Sequence, residues 1–194
     1  MPKIAAPTVA EHRSRVQARL VAAAEEIMRS GDATGLTAGA VSSAAGIARN
    51  SIYRYVDSID ELRALVVARH LPAWLDAVAS QMARQTTPAG RIDAWVRANL
   101  RQASASGHAW LIDAVRAAPR SAAAVASADA AHTGLREPLA AAWTQLLDGD
   151  AERARLATAI TFGIVETGFG QLESGVAPCT VEDACCRAAL GMAP

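Results

Sequence analysis

Leu36-Thr37-Ala38-Gly39-Ala40-Val41-Ser42-Ser43-Ala44-Ala45-Gly46-Ile47-Ala48-Arg49-Asn50-Ser51-Ile52-Tyr53-Arg54-Tyr55-Val56 is the stretch whose reading decides the fold. Thr37 opens a short helix, as a residue whose hydroxyl can accept from amides of the first turn. Ala40, Val41, Ala44, Ile47 and Ile52 supply small inward groups that let two short helices cross closely. Gly46 permits the positive φ that a tight turn demands. A third helix then runs from about Ala48 to Val56, with Arg49, Asn50 and Ser51 at its N-terminal end. The pattern is a helix-turn-helix, whose second element carries its N-terminal residues to base edges in a major groove.

Helical punctuation continues on both sides. Upstream, Val16, Leu20, Ala23, Ala24 and Ile27 recur at helical spacing until Gly31 stops the helix. Downstream, Ser58-Ile59-Asp60-Glu61 reads as a capping box for a fourth helix, which Pro72 ends or kinks. Thr87-Pro88 opens a helix carrying Ile92, Trp95, Val96, Asn99 and Leu100 on one side. Gly107 precedes a short helix with Trp110, Leu111, Ala114 and Val115, closed by Pro119. A long alanine-rich segment follows, interrupted near Thr133-Gly134 and resuming with Leu135, Leu139, Trp143, Leu146 and Leu147. Asp148-Gly149-Asp150 separates it from a helix reaching about Ser174, and a last helix starts at Thr180. The expectation is an all-α chain of about nine helices. The 47 alanines and the 4% aromatic content agree with it. Residues 1–11 read as an arm, 12–57 as the helix-turn-helix domain and 58–194 as a larger helical body.

Charge and composition remove several function classes. Nineteen basic residues balance nineteen acidic ones, which excludes a broadly polycationic nucleic-acid binder. Up to His70 there are nine basic and seven acidic residues, a small excess of the sign that suits a DNA-facing front. No apolar run approaches the ~20 residues of a membrane helix. Met1–Ala10 lacks a secretory segment, so a cytoplasmic location without membrane attachment is expected. Cys179, Cys185 and Cys186 form no disulfide framework and fit no common zinc spacing. His12, His70, His108 and His132 are scattered, and Gly168-Phe169-Gly170 lacks the third glycine of a dinucleotide loop. Neither an enzyme nor a cofactor or metal is expected.

The decisive stretch resembles the TetR family of bacterial transcriptional regulators. The resemblance rests on Leu36-Thr37, Val41, Ala45-Gly46-Ile47, the polar triplet Arg49-Asn50-Ser51, Ile52-Tyr53-Arg54-Tyr55-Val56, and Ser58 through Leu62. It covers about residues 12–65. It implies that Arg49 and Asn50 read bases, since Arg pairs bidentately with guanine and Asn with adenine. Thr37, Ser51, Tyr53 and Tyr55 would hold phosphates or sugars and set the docking register. Tyr53 can equally serve packing, and Thr37 can simply cap its helix. Two departures weaken the electrostatics. Ile59 stands where the family usually has a phosphate-gripping lysine, and the second helix carries Gly39, Ser42 and Ser43 where basic residues often sit. Arg13, Arg15 and Arg19 can compensate or merely form a solvated face.

The resemblance further implies a homodimer, a double-stranded DNA operator and a small apolar or aromatic effector, so that a palindromic site is released on effector binding. In the family the last two helices build the dimer interface. Here Ala159, Gly163, Thr167 and Gly170 form a small-residue stripe, matched on the final helix by Val181, Ala184, Cys185 and Ala188. Packing within one chain is the other use for those glycines. Phe162, Val165, Phe169 and Leu172 form a bulky stripe expected to face the helix's own core. Trp74, Trp95, Trp110 and Trp143 lie on four body helices and serve either as core or, with Met82, Asn99, His108, Phe162 and Glu166, as walls of an effector site. The alternative reading is a helical dimeric small-molecule-binding protein with weak or no specific DNA binding.

Overall fold

The computed structural model describes residues 8–31, 35–105, 109–116 and 122–193. Among the described residues the order is α1 (Val9–Arg29), α2 (Ala38–Ala44), a 3-10 helix (Arg49–Arg54), α3 (Ile59–Ala83), α4 (Pro88–Ser104), α5 (Ala109–Arg116), α6 (Ala122–Leu146), α7 (Ala151–Glu173) and α8 (Pro178–Leu190), with no strand. The expected all-α architecture is what the chain adopts. Two compact units emerge, one of Met1–Arg69 with Asp113–Ala128, the other of His70–Ile112 with Asp129–Pro194. Gly107 and Pro119, expected to bound the short helix, lie outside the described residues.

In the first unit α1 starts at Val9, earlier than residue 12. Thr8 Oγ1 accepts from the Glu11 amide at 3.2 Å, and Glu11 Oε2 accepts from the Thr8 amide at 2.6 Å. This reciprocal box satisfies two amides that otherwise lack intrahelical partners. The helix buries Val16, Leu20, Ala23, Ala24 and Met28; Met28 takes the core place expected for Ile27, which is half-buried. Thr37 Oγ1 caps α2 by accepting from the Ala40 amide at 3.2 Å. Gly46 follows with φ +67°, the left-handed turn its position predicts. Val41 and Ile52 are fully buried, as expected, but Ala45 is the inward alanine and Ala44 is exposed. The expected third helix is a 3-10 segment, marked by i to i+3 bonds from the Ser51 amide to Ala48 O (2.8 Å) and from the Tyr55 amide to Ile52 O (2.9 Å). The box at Ser58 is half formed. Ser58 Oγ accepts from the Glu61 amide at 2.9 Å, while the Glu61 carboxylate accepts from Asp57 rather than from Ser58.

Two expected helix ends are absent. Pro72, expected to end or kink its helix, does not end it: it lies inside α3, which continues to Ala83. A proline there removes one backbone bond, and the turns beyond it are anchored by buried Trp74, Val78 and Met82. The Thr133-Gly134 break is likewise absent, and Gly134 and Pro138 both lie within α6. Gly134 serves close packing: a Cβ there would stand 2.8 Å from Leu75 Cδ1.

The second unit packs α4, α7 and α8 against one another. Helix α4, capped by Thr87 Oγ1 with Pro88 in its first turn, is its most buried element, sequestering Ile92, Trp95, Val96, Asn99 and Leu100. The face of α7 that packs inward is small-residued: Ala154, Ala157, Thr158, Thr161, Val165 and Gly168. Of the bulky stripe expected there only Val165 is buried; Phe162, Phe169 and Leu172 are half-buried. Gly168 is the close-approach glycine, since an added Cβ would meet Leu100 Cδ2 at 2.8 Å and Cys185 Sγ at 3.0 Å. Helix α8 begins at Pro178 rather than Thr180, because proline suits a first-turn position whose N–H has no partner. Arg97 ties α4 to α8 through Asp183 (2.9 Å) and Glu182 (3.5 Å), and Arg101 adds a 2.9 Å bridge to Glu182. The hydrogen bond that Arg97 donates to the Asp183 carboxylate raises the pKa of Arg97 above its ordinary value.

Candidate nucleic-acid interface and effector body

The turn at Gly46 and the burial of Val41 and Ile52 fix the 3-10 segment against α2. What remains outside is polar. Thr37, Arg49, Asn50 and Tyr53 are exposed, and Ser51 and Tyr55 are half-buried. Tyr53 leaves 58% of its surface to solvent, which argues against a packing role. Arg49 and Asn50 occupy the first two positions of the segment. The side chain of Arg49 reaches across to the first turn of α2. A Cβ at Gly39 would lie 3.9 Å from Arg49 Nε and 4.0 Å from Thr37 Oγ1, so these groups share one small surface. The Thr37 hydroxyl is already an acceptor for its cap; its proton stays available to an anion. Ile59, at the first position of α3, is half-buried. Arg13, Arg15 and Arg19 are exposed on α1.

The tryptophans of the second unit form a bonded interior. Trp74 Nε1 donates to Asn99 Oδ1 at 2.9 Å, and Asn99 Nδ2 donates to Trp95 O at 2.8 Å. Trp95 Nε1 donates to Leu135 O at 3.0 Å, and Trp143 Nε1 to Thr161 Oγ1 at 3.1 Å. The half-buried Phe162 ring lies 4.9 Å from that of Trp95 and stacks on His132 at 5.5 Å, with the Arg136 guanidinium 5.2 Å from its centroid. Trp110 is buried beside the His70 ring at 5.3 Å. Met82 is buried and lines a separate groove with the end of α6. Glu166 is exposed, and His108 lies outside the described residues. His132 and Arg136 were not singled out by sequence; helical spacing of four puts them on one face, a signal that was there to find.

Of the two small-residue stripes, Ala159, Gly163, Thr167, Ala184 and Ala188 are exposed, Gly170 is half-buried, and Val181 and Cys185 are buried. Among the described residues nothing lies within 4 Å of a Cβ placed at Gly163 or Gly170, so neither glycine packs against any of them. Thr167, Val181, Ala184, Cys185 and Ala188 come together with Ile164, Gln171 and Val176 along a groove of about 380 Å³. Leu156 and Ile160, 60% and 42% exposed, extend the outward face of α7. Sequence reading missed them because it began the stripe at Ala159; Leu156, Ile160, Gly163, Thr167 and Gly170 follow 4-3-4-3 spacing, the period of a helix–helix seam. Cys179 is exposed, whereas burial pushes up the pKa of the Cys185 thiol and that of Cys186, the latter to about 12. Among the described residues no cluster of His, Cys, Asp or Glu has the makings of a metal site, and no helix is long and apolar enough to cross a membrane.

No family model matches the chain, and no curated protein matches it in sequence. Solved structures do match. The chain superposes on the transcriptional regulator FadR from Bacillus subtilis in complex with stearoyl-CoA with a TM-score of 0.70 at 10% identity, covering 91% of this chain and 99% of that one. AibR, in complex with isovaleryl coenzyme A and operator DNA, gives 0.70 at 13% identity over 89% and 97%. A TetR transcription regulator from Haloarcula marismortui gives 0.68 at 16% identity over 93% and 97%. Likeness at such identities resides in backbone rather than in side chains, and by it this chain has the fold of the TetR-family transcriptional regulators.

Proposed function

We propose that the chain is a ligand-responsive, DNA-binding transcriptional regulator, a repressor that binds a palindromic operator as a homodimer. The carrying observation is the polar tip after Gly46, where Arg49, Asn50 and Tyr53 are exposed while Val41 and Ile52 are buried beneath them. Arg49 and Asn50 read bases, and Thr37, Ser51, Tyr53 and Tyr55 contact phosphates or sugars. The open stripe on α7 and the apolar groove beside α8 support the homodimer. The indole N–H groups of Trp74, Trp95 and Trp143 are committed to internal acceptors, so an effector among them meets ring faces rather than free donors. That favours a small apolar or aromatic molecule, which releases DNA by preferring one of two conformations.

Selection from a random double-stranded DNA pool tests the reading. The expected product is a palindrome whose half-sites lie about one turn, ~34 Å, apart or a multiple of it. A pool with no enriched sequence would leave a ligand-binding dimer without operator recognition.

A further inference from the structure

Arg63, Arg91 and Arg97 are half-buried. Arg63 has Asp60 at 2.9 Å, and Arg97 has Asp93 and Asp183. Among the described residues no carboxylate pairs with Arg91. Its Nη2 donates to the neutral Oε1 of Gln145, and its buried Nε–H meets no acceptor. Only the Nε end of this guanidinium is buried, and buried polar groups as a rule have partners. The same guanidinium lines an open groove of about 260 Å³ between the end of α3, the start of α4 and the end of α6. The groove's floor is alkyl, from Ala79, Met82, Pro138 and Ala142 among others. Gln85 and Gln145 are the remaining polar groups, and no acidic side chain lines it.

We propose that this groove binds a small monocarboxylate with a compact apolar body. A carboxylate at Arg91 supplies the missing counter-charge and accepts charge-assisted hydrogen bonds from the guanidinium, drawing it away from Gln145. The amides of Gln85 and Gln145 can donate to the second oxygen. The apolar body covers the alkyl floor. The volume is below the ~300–1,000 Å³ of drug-sized pockets, which suits an occupant with roughly five or six carbons beyond the carboxylate. Inorganic phosphate fits less well, because a single cation faces it and the floor offers it nothing. The proposal goes beyond the operator reading and stands or falls without DNA.

The test uses the full chain without DNA, titrated calorimetrically with benzoate and hexanoate, with benzamide and hexanamide as uncharged isosteres, and with inorganic phosphate. The acids should bind at least about tenfold more tightly than their amides and raise the melting temperature. Arg91→Gln should erase that preference. Ala141→Trp, at an exposed position lining the groove, should block binding while leaving Arg91 in place. Equal affinity for acid and amide, phosphate binding as tight as benzoate, or acid binding unchanged in both variants would overturn the assignment. Failure of operator selection together with acid binding would sink the DNA reading and leave this one standing.

Discussion

Arg49 stands exposed at the first position of the 3-10 segment, with its stem along Gly39 and Thr37. If it pairs with guanine, Arg49→Ala should cost about 1–3 kcal/mol at the selected site and relax preference at that one base pair. Tyr53→Phe should instead weaken binding alike across sequences, as a lost phosphate contact carries no base information. Fluorescence anisotropy on a panel of single-base variants separates the two. Unchanged affinity and preference in Arg49→Ala would remove the base-reading role. Beneath this surface Ser42 is 1% exposed and its hydroxyl has no partner. Leaving a buried hydroxyl unsatisfied costs about 1–3 kcal/mol, so Ser42→Ala should leave stability unchanged or raise it in urea unfolding. A loss would mean that the hydroxyl has a partner in solution. The polar tip was legible because turn chemistry at Gly46 and the first-turn position of Arg49 are local. The burial of Ser42 and the choice of Ala45 over Ala44 were not, since the rotation of a seven-residue helix depends on what packs around it.

At the scale of elements, helix starts at Thr37 and Thr87 are local features of the sequence, whereas the Thr8 box, the half-formed box at Ser58 and the start of α8 at Pro178 differ from what it predicts. Thr37, Thr87 and Asp150 each accept from an amide three residues on, a geometry written into the sequence. Pro72, expected to end or kink its helix, does not end it, and the break expected near Gly134 is absent: α3 and α6 run through them. Local propensity lost to packing there: buried Trp74 and Val78 hold the turns after Pro72, and Gly134 admits the Leu75 side chain. The same logic ranks the glycines of α7. A methyl at Gly168 presses on Leu100, Cys185 and Val181, and overpacking of this kind costs about 1–3 kcal/mol against a helix-propensity gain of about 1. Gly168→Ala should therefore lower stability by up to about 2 kcal/mol by denaturant unfolding; a clear gain would mean that α4 and α8 give way freely. At the start of α3, Ile59→Lys adds one cation per chain. If that helix end faces the DNA backbone, the slope of log K against log[salt] should steepen by about 2 per dimer, from ~0.9 per neutralised phosphate. A slope that does not move would place Ile59 away from the DNA.

The whole molecule carries no net charge, and α2 carries none either, so if the tip after Gly46 meets DNA as proposed, a single tip has little electrostatic hold on a duplex. Two tips bound at once make up the difference, because linkage turns the second contact into an intramolecular one and can raise affinity 10²–10⁴-fold. On the proposed operator reading, specific binding requires a dimer, and the seam on α7 is the surface proposed for it. Leu156 and Ile160 offer exposed apolar surface, and Gly163 and Gly170 leave the helix backbone open to a partner. Gly163→Leu places a bulky side chain where a partner helix must come close, and Leu156→Lys puts a charge into the apolar end of the seam. Neither touches the chain's own core, so monomer folding, read by circular dichroism, should survive both. Sedimentation velocity at micromolar concentration should show the wild type as a dimer and each variant shifted toward monomer. Operator affinity should fall by roughly 10² or more while the base preference of each half-site persists. A wild-type monomer, or variants that sediment as the parent does, would remove the two-fold on which the palindrome rests. Loss of dimer with undiminished operator affinity would show instead that one tip suffices.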